Sequence, residues 1–115
     1  MVFYKKVRKN KYGNRRVVIN GIEYASVLEG KVAQRLELMK LAKEIIDYHP
    51  HYKVELIVNS KQVATHIVDF LVIYKEKKEF WEVKGKNATK TPVWALKKKI
   101  TEVNYPNIKY RVITE

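Results

Sequence analysis

The chain has 115 residues, a formal charge of +12, a hydrophobic fraction of 46% and no cysteine. That length suits one compact domain spanning 1–115, and the composition excludes a disordered tail, disulfides, thiolate metal sites and a membrane span of ~20 apolar residues. The charge calls for a polyanionic partner, nucleic acid ahead of an anionic membrane surface, because the basic residues are scattered rather than gathered on one long amphipathic helix.

Residues 1–16 read as a basic arm carrying Lys5, Lys6, Arg8, Lys9, Lys11, Arg15 and Arg16. Such a run is either a solvated, partly ordered segment or one that tracks phosphates. It does not read as a secretory signal. Asn20-Gly21 between β-branched runs predicts a hairpin over 16–24, since both turn positions need positive φ. Ser26 opens a helix expected to reach about Ile46, with Leu28, Val32, Leu36, Met39, Ala42 and Ile45 on one apolar stripe. Pro50 lies beyond its end. A strand is expected over Tyr52–Val58, a turn at Asn59-Ser60-Lys61, and a long strand over Val63–Tyr74. From Ile67 that strand is apolar on both faces apart from Asp69, which places it mid-sheet. After a charged turn at 75–78 come a strand over Glu79–Lys84, a polar loop to Thr91, a helix over Val93–Val103 begun by Pro92, and a last strand over Ile108–Thr114. The expected class is α/β (α+β): a mixed central sheet in αβββαβ order, flanked by helices and preceded by a β-hairpin. The second helix would be a right-handed crossover if the last two strands pair in parallel.

Asp69 is the residue that needs explaining, because a carboxylate in an apolar strand costs several kcal/mol unless something pairs with it. A hairpin closed over 75–78 puts Asp69 opposite the region of Glu82 to Lys84, and alternation sends Glu82 and Lys84 to one face. Two converging carboxylates repel each other, and a hard cation such as Mg²⁺ (or Mn²⁺) relieves the repulsion while keeping waters for a phosphate. A neighbouring lysine can then orient or help deprotonate the attacking water, or neutralise charge developing on the phosphate. The competing reading is a buried Asp69–Lys84 ion pair with Glu82 at the surface, and D-x₁₂-E-x-K alone is a weak pattern.

Other motifs weigh less. His49, His51 and His66 lack the cysteines or helical spacing of a zinc site. Lys97, Lys98 and Lys99 sit ~100° apart on a helix and cannot share a face; one or two contact phosphate, or all form a solvated surface. Phe80, Trp81 and Trp94 read as core rather than as base-stacking platforms, and no glycine-rich phosphate loop is present.

The element order, the apolar run before Asp69 and the glycine after Lys84 resemble the core of PD-(D/E)xK nucleases. Ser26-Val-Leu-Glu29, His49-Pro-His-Tyr-Lys-Val-Glu-Leu56, Val68-Asp69-Phe70, Glu82-Val-Lys-Gly85, and Thr91 followed by Lys97 are similar to a small phage-type family of that superfamily. They are also similar to the catalytic half of Tn7-like transposition endonucleases. The resemblance spans about 20–113 and implies a restriction-endonuclease-like core. It makes Asp69 and Glu82 metal ligands, the Val83 carbonyl a third, and Lys84 the catalytic lysine, and it matches Glu29 to an acidic residue offered by the first helix. Ser26-x-x-Glu29 is equally a capping box, and the two readings are compatible. Val68 replaces the proline of the eponymous pair, and His49 stands where glutamine is usual, so its side chain receives no role. The expected function is metal-dependent DNA endonuclease, in the cytoplasm (a host cytoplasm if phage-encoded), with Arg15, Arg16, Lys86, Lys90 and Lys97 holding DNA and a possible homodimer addressing two strands. The alternatives are a Holliday junction resolvase and a non-catalytic nucleic-acid-binding protein.

Overall fold

The computed structural model describes residues 4–9, 15–85 and 91–114. The chain divides into two compact units, Met1–Ile46 and Asp47–Glu115.

In the first unit, β1 (Tyr4–Lys9), β2 (Arg15–Ile19) and β3 (Ile22–Tyr24) form an antiparallel sheet in that order, followed by α1 (Val27–Leu41). Asn20 and Gly21 take φ of 51° and 80°, the left-handed pair that the hairpin requires. The arm is not a free segment over Tyr4–Lys9. It pairs with β2 from Tyr4↔Ile19 to Lys9↔Arg15, on the edge that β3 leaves open.

The helix α1 starts as expected, with Ser26 Oγ accepting the Glu29 amide at 3.1 Å, but it stops at Leu41, five residues short of Ile46. The Lys43 amide donates to the Lys40 carbonyl and the Glu44 amide to the Met39 carbonyl, with Lys43 at φ 62°. That is a Schellman turn with lysine in the place usually held by glycine, so the sequence carried no stop signal while its apolar spacing ran on to Ile45. Val32, Ala33 and Leu36 are buried where α1 meets β2 and β3, and Gly30 lies directly against Val17.

The second unit holds a four-stranded mixed sheet in the order β4 (Asp47–Val58), β5 (Lys61–Ile73), β6 (Lys78–Val83) and β7 (Lys109–Ile113), with α2 (Pro92–Asn104) between β6 and β7. β4, β5 and β6 are an antiparallel meander, and β7 pairs with β6 in parallel. β4 begins at Asp47 rather than Tyr52 and runs through Pro50, which an edge strand tolerates because a missing amide there breaks no ladder. That edge is partly closed by α2: the Asn104 side chain accepts the Ile57 amide at 2.7 Å and donates to the Ile57 carbonyl at 3.0 Å, as a neighbouring strand would. Val54, Leu56, Val68, Leu71, Phe80 and Tyr110 form a core against which Trp94, Ile100 and Tyr105 pack.

β6 also buries Glu79, whose side chain is 4% exposed. It accepts from Trp81 Nε1 at 3.0 Å, the Tyr74 hydroxyl at 3.2 Å, Lys77 at 3.3 Å and Arg111 at 3.5 Å. Burial alone would raise this carboxyl, but the bonds from Trp81, Lys77 and Tyr74 and the Lys77 charge outweigh it and hold the group below its ordinary 4.5.

A methyl at Gly30 would overlap Val17 Cγ2, and a β-branched side chain has little freedom to yield, so Gly30→Ala should destabilise the chain by about 1–3 kcal/mol in urea unfolding. Because the folded pKa of Glu79 is depressed, its contribution is present above pH 4.5 and is lost as pH falls through the lower folded value. Glu79→Gln should therefore cost about 1–3 kcal/mol at neutral pH, with a deficit that narrows in unfolding curves taken at successively lower pH below 4.5.

Candidate functional site

The site begins where a ladder ends. β5 and β6 are paired from Ile73↔Lys78 to Phe70↔Trp81, and the next position on each strand is a carboxylate, Asp69 and Glu82. Their side chains carry the hydrogen bonding onward. The Asp69 amide donates to Glu82 Oε2 at 3.2 Å, and the Val83 amide donates to Asp69 Oδ2 at 2.7 Å. On its other side the segment is held by β7, through Glu82↔Val112, Val83↔Ile113 and a 2.9 Å bond from the Lys84 amide to the Ile113 carbonyl. The backbone from Glu82 to Lys84 is thus fixed from both flanks.

Glu82 is 5% exposed, so it is not the surface residue of the ion-pair alternative. Its Oε1 accepts Trp94 Nε1 at 2.8 Å and the Tyr110 hydroxyl at 3.3 Å. Tyr110 also lies 2.8 Å from His66 Nε2, and since its single proton goes to Glu82, Nε2 must carry a hydrogen and donate to the hydroxyl. Burial lowers the His66 pKa below its ordinary 6.5; Glu82 opposes the shift while Lys97 and Lys84 add to it, so the ring is neutral at neutral pH. Burial, with Glu82 and Asp69 nearby, pushes the Tyr110 hydroxyl well up, which keeps it a donor. Among the described residues, then, the hydrogen-bond donors that reach Glu82 are all neutral: an indole, a phenol and a backbone amide.

Lys84 lies beside these groups, half-buried, with Nζ 4.8 Å from the centre of the Trp94 ring in a cation–π contact. Asp69 is half-buried. Among the described residues no group of three or more His, Asp and Glu side chains is gathered as a metal cage. The donor set is instead two carboxylates from adjacent strands. It fits a hard ion that takes one or two protein carboxylates and keeps several waters, and among the described residues Oε2 of Glu82 carries one hydrogen bond where a carboxylate oxygen accepts two.

The remaining sequence candidates are distributed as follows. Glu29 belongs to the first unit, at the start of α1, where its charge adds to burial in pushing the Tyr24 hydroxyl up to about 12. Arg16, also in the first unit, pairs with Glu23 at 2.9 Å, and Arg15 sits in β2. Lys97 donates from Nζ to the Thr65 carbonyl at 2.9 Å, so its ammonium is anchored on β5. Lys86 and Lys90 lie outside the described residues. Sequence reasoning missed Trp94 and Tyr110 as partners of Glu82, and considered His66 only as a zinc ligand. The usable signal was that a buried tryptophan or tyrosine must give its polar hydrogen to something.

The exchange of bonds at Asp69 carries its own test. Asp69→Ala strands the buried Val83 amide and should lose about 1–3 kcal/mol of stability, whereas Asp69→Asn keeps an acceptor oxygen and should lose less. Urea unfolding of the two variants measures the difference.

No curated protein and no solved structure matches the chain significantly. A family profile does, over residues 9–115. The chain belongs to that family, described as protein of unknown function (DUF1064).

Proposed function

We propose that this protein is a metal-dependent endonuclease of DNA, built on a restriction-endonuclease-like core, with its active site at Asp69, Glu82 and Lys84. The observation that carries the reading is the setting of Glu82: a buried carboxylate on the strand beside Asp69, whose hydrogen-bond donors among the described residues are all neutral. The four-stranded mixed sheet, with a helix between its parallel strands, agrees with such a core. The charge of +12 favours a polyanionic substrate.

In this reading Asp69, Glu82 and the Val83 carbonyl would hold Mg²⁺ or Mn²⁺. When bound, the ion would polarise the scissile phosphate and lower the pKa of an attacking water. Asp69 and Glu82, locked to each other's strands, keep their oxygens in fixed positions. Lys84 reaches the same region from a backbone pinned by β7, and its ammonium can orient water or offset charge building on the phosphate.

The test is cleavage of supercoiled plasmid and of a four-way junction in Mg²⁺ or Mn²⁺. Asp69→Asn and Lys84→Ala should each reduce the rate by about 10²–10⁴-fold while still binding DNA. Preference for the junction would identify a resolvase. A wild type that binds DNA but neither cuts it nor gains thermal stability from Mg²⁺ would make the protein a binding module.

A further inference from the structure

We infer that Trp94 is a positioning residue for the site, holding Glu82 and Lys84 in place through two different parts of one ring. The inference rests on the nuclease reading of Asp69, Glu82 and Lys84. The indole N–H donates to Glu82 Oε1 at 2.8 Å, the shortest of the bonds to that carboxylate. The face of the same ring lies 4.8 Å from Lys84 Nζ.

A lysine on the same strand face as Glu82 could pair with that carboxylate directly, and the pair would take up the charge that a metal or phosphate needs. The Trp94 ring offers Lys84 a competing electron-rich surface, while its N–H saturates the Glu82 oxygen that faces α2. Trp94 itself is fixed in the first turn of α2, where its amide donates to Thr91 Oγ1 at 3.1 Å. Tyr110, backed by His66, holds the same Glu82 oxygen from β7. Oε2 is thereby turned toward β5, where it accepts the Asp69 amide.

The experiment uses the DNA-free chain labelled with ¹⁵N. It has two tryptophans, hence two indole N–H resonances, from Trp81 and Trp94. The Trp94 signal is identified by its loss in Trp94→Phe or by through-bond assignment of the wild type. As MgCl₂ is added, the Trp94 resonance should shift along the same curve as metal binding followed by calorimetry, and the Trp81 resonance should stay in place. Trp94→Phe keeps the aromatic face but not the donor, and should bind Mg²⁺ about 10–100-fold more weakly; Trp94→His, which restores an N–H, should recover part of the loss. If Mg²⁺ binds the wild type while the Trp94 signal stands still, or if Trp94→Phe binds as tightly as the wild type, the positioning role is overturned and the metal site survives. If the wild type binds no Mg²⁺, the reading of the site falls and this inference falls with it. Should Trp94→Phe fail to fold, the wild-type resonance alone decides.

Discussion

Where β5 and β6 stop exchanging backbone hydrogen bonds, Asp69 takes the Val83 amide and Glu82 takes the Asp69 amide. The surroundings of the site are arranged around that exchange. Carboxylates inside a sheet are expensive, and the cost is offset here by amides that the ended ladder would otherwise leave without partners. The same exchange fixes where the two oxygen-bearing groups stand. β7 then braces the far side of the segment, and α2 brings Trp94 to the remaining Glu82 oxygen.

β6 carries two buried glutamates, and comparing them shows how surroundings assign roles. Glu79 accepts from Lys77 and Arg111 as well as from Trp81 and Tyr74, so its charge is already balanced within the fold. Glu82 receives an indole, a phenol and an amide, none of them charged. One carboxylate is tied to cations within the fold; the other is held by neutral donors on the strand beside Asp69. The side chains are chemically identical, and the difference comes from which neighbours are cations.

Much of the second unit was legible in the sequence because its signals are local. The apolar run around Asp69, the alternation from Glu79 to Lys84, and Pro92 at the start of α2 each predict an element whose bounds differ from the observed ones by only one or two residues. The misses have a common cause: the deciding contact was non-local or used an unusual residue. Lys43 closes α1 in a conformation usually given to glycine. Pro50 lies inside β4 because that strand is an edge, a property of sheet order rather than of the segment. Tyr4–Lys9 becomes a strand only because β2 offers it an open edge. At the site, Asp69, Glu82 and Lys84 stood out by type and spacing. The Trp94–Glu82 and Tyr110–Glu82 bonds join positions 12 and 28 residues apart, and nothing in the intervening sequence announces them.

The separation between Glu82 and Tyr110 also bears on the order in which the molecule comes into being. The meander β4–β5–β6 consists of neighbouring hairpins and can close as soon as it leaves the ribosome, whereas the parallel β6–β7 pairing has to wait for the intervening α2. Until Tyr110 and Ile113 dock, Glu82 lacks its phenol donor and the Lys84 backbone lacks its brace. A nascent chain therefore carries Asp69, Glu82 and Lys84 before it carries the strand that braces them.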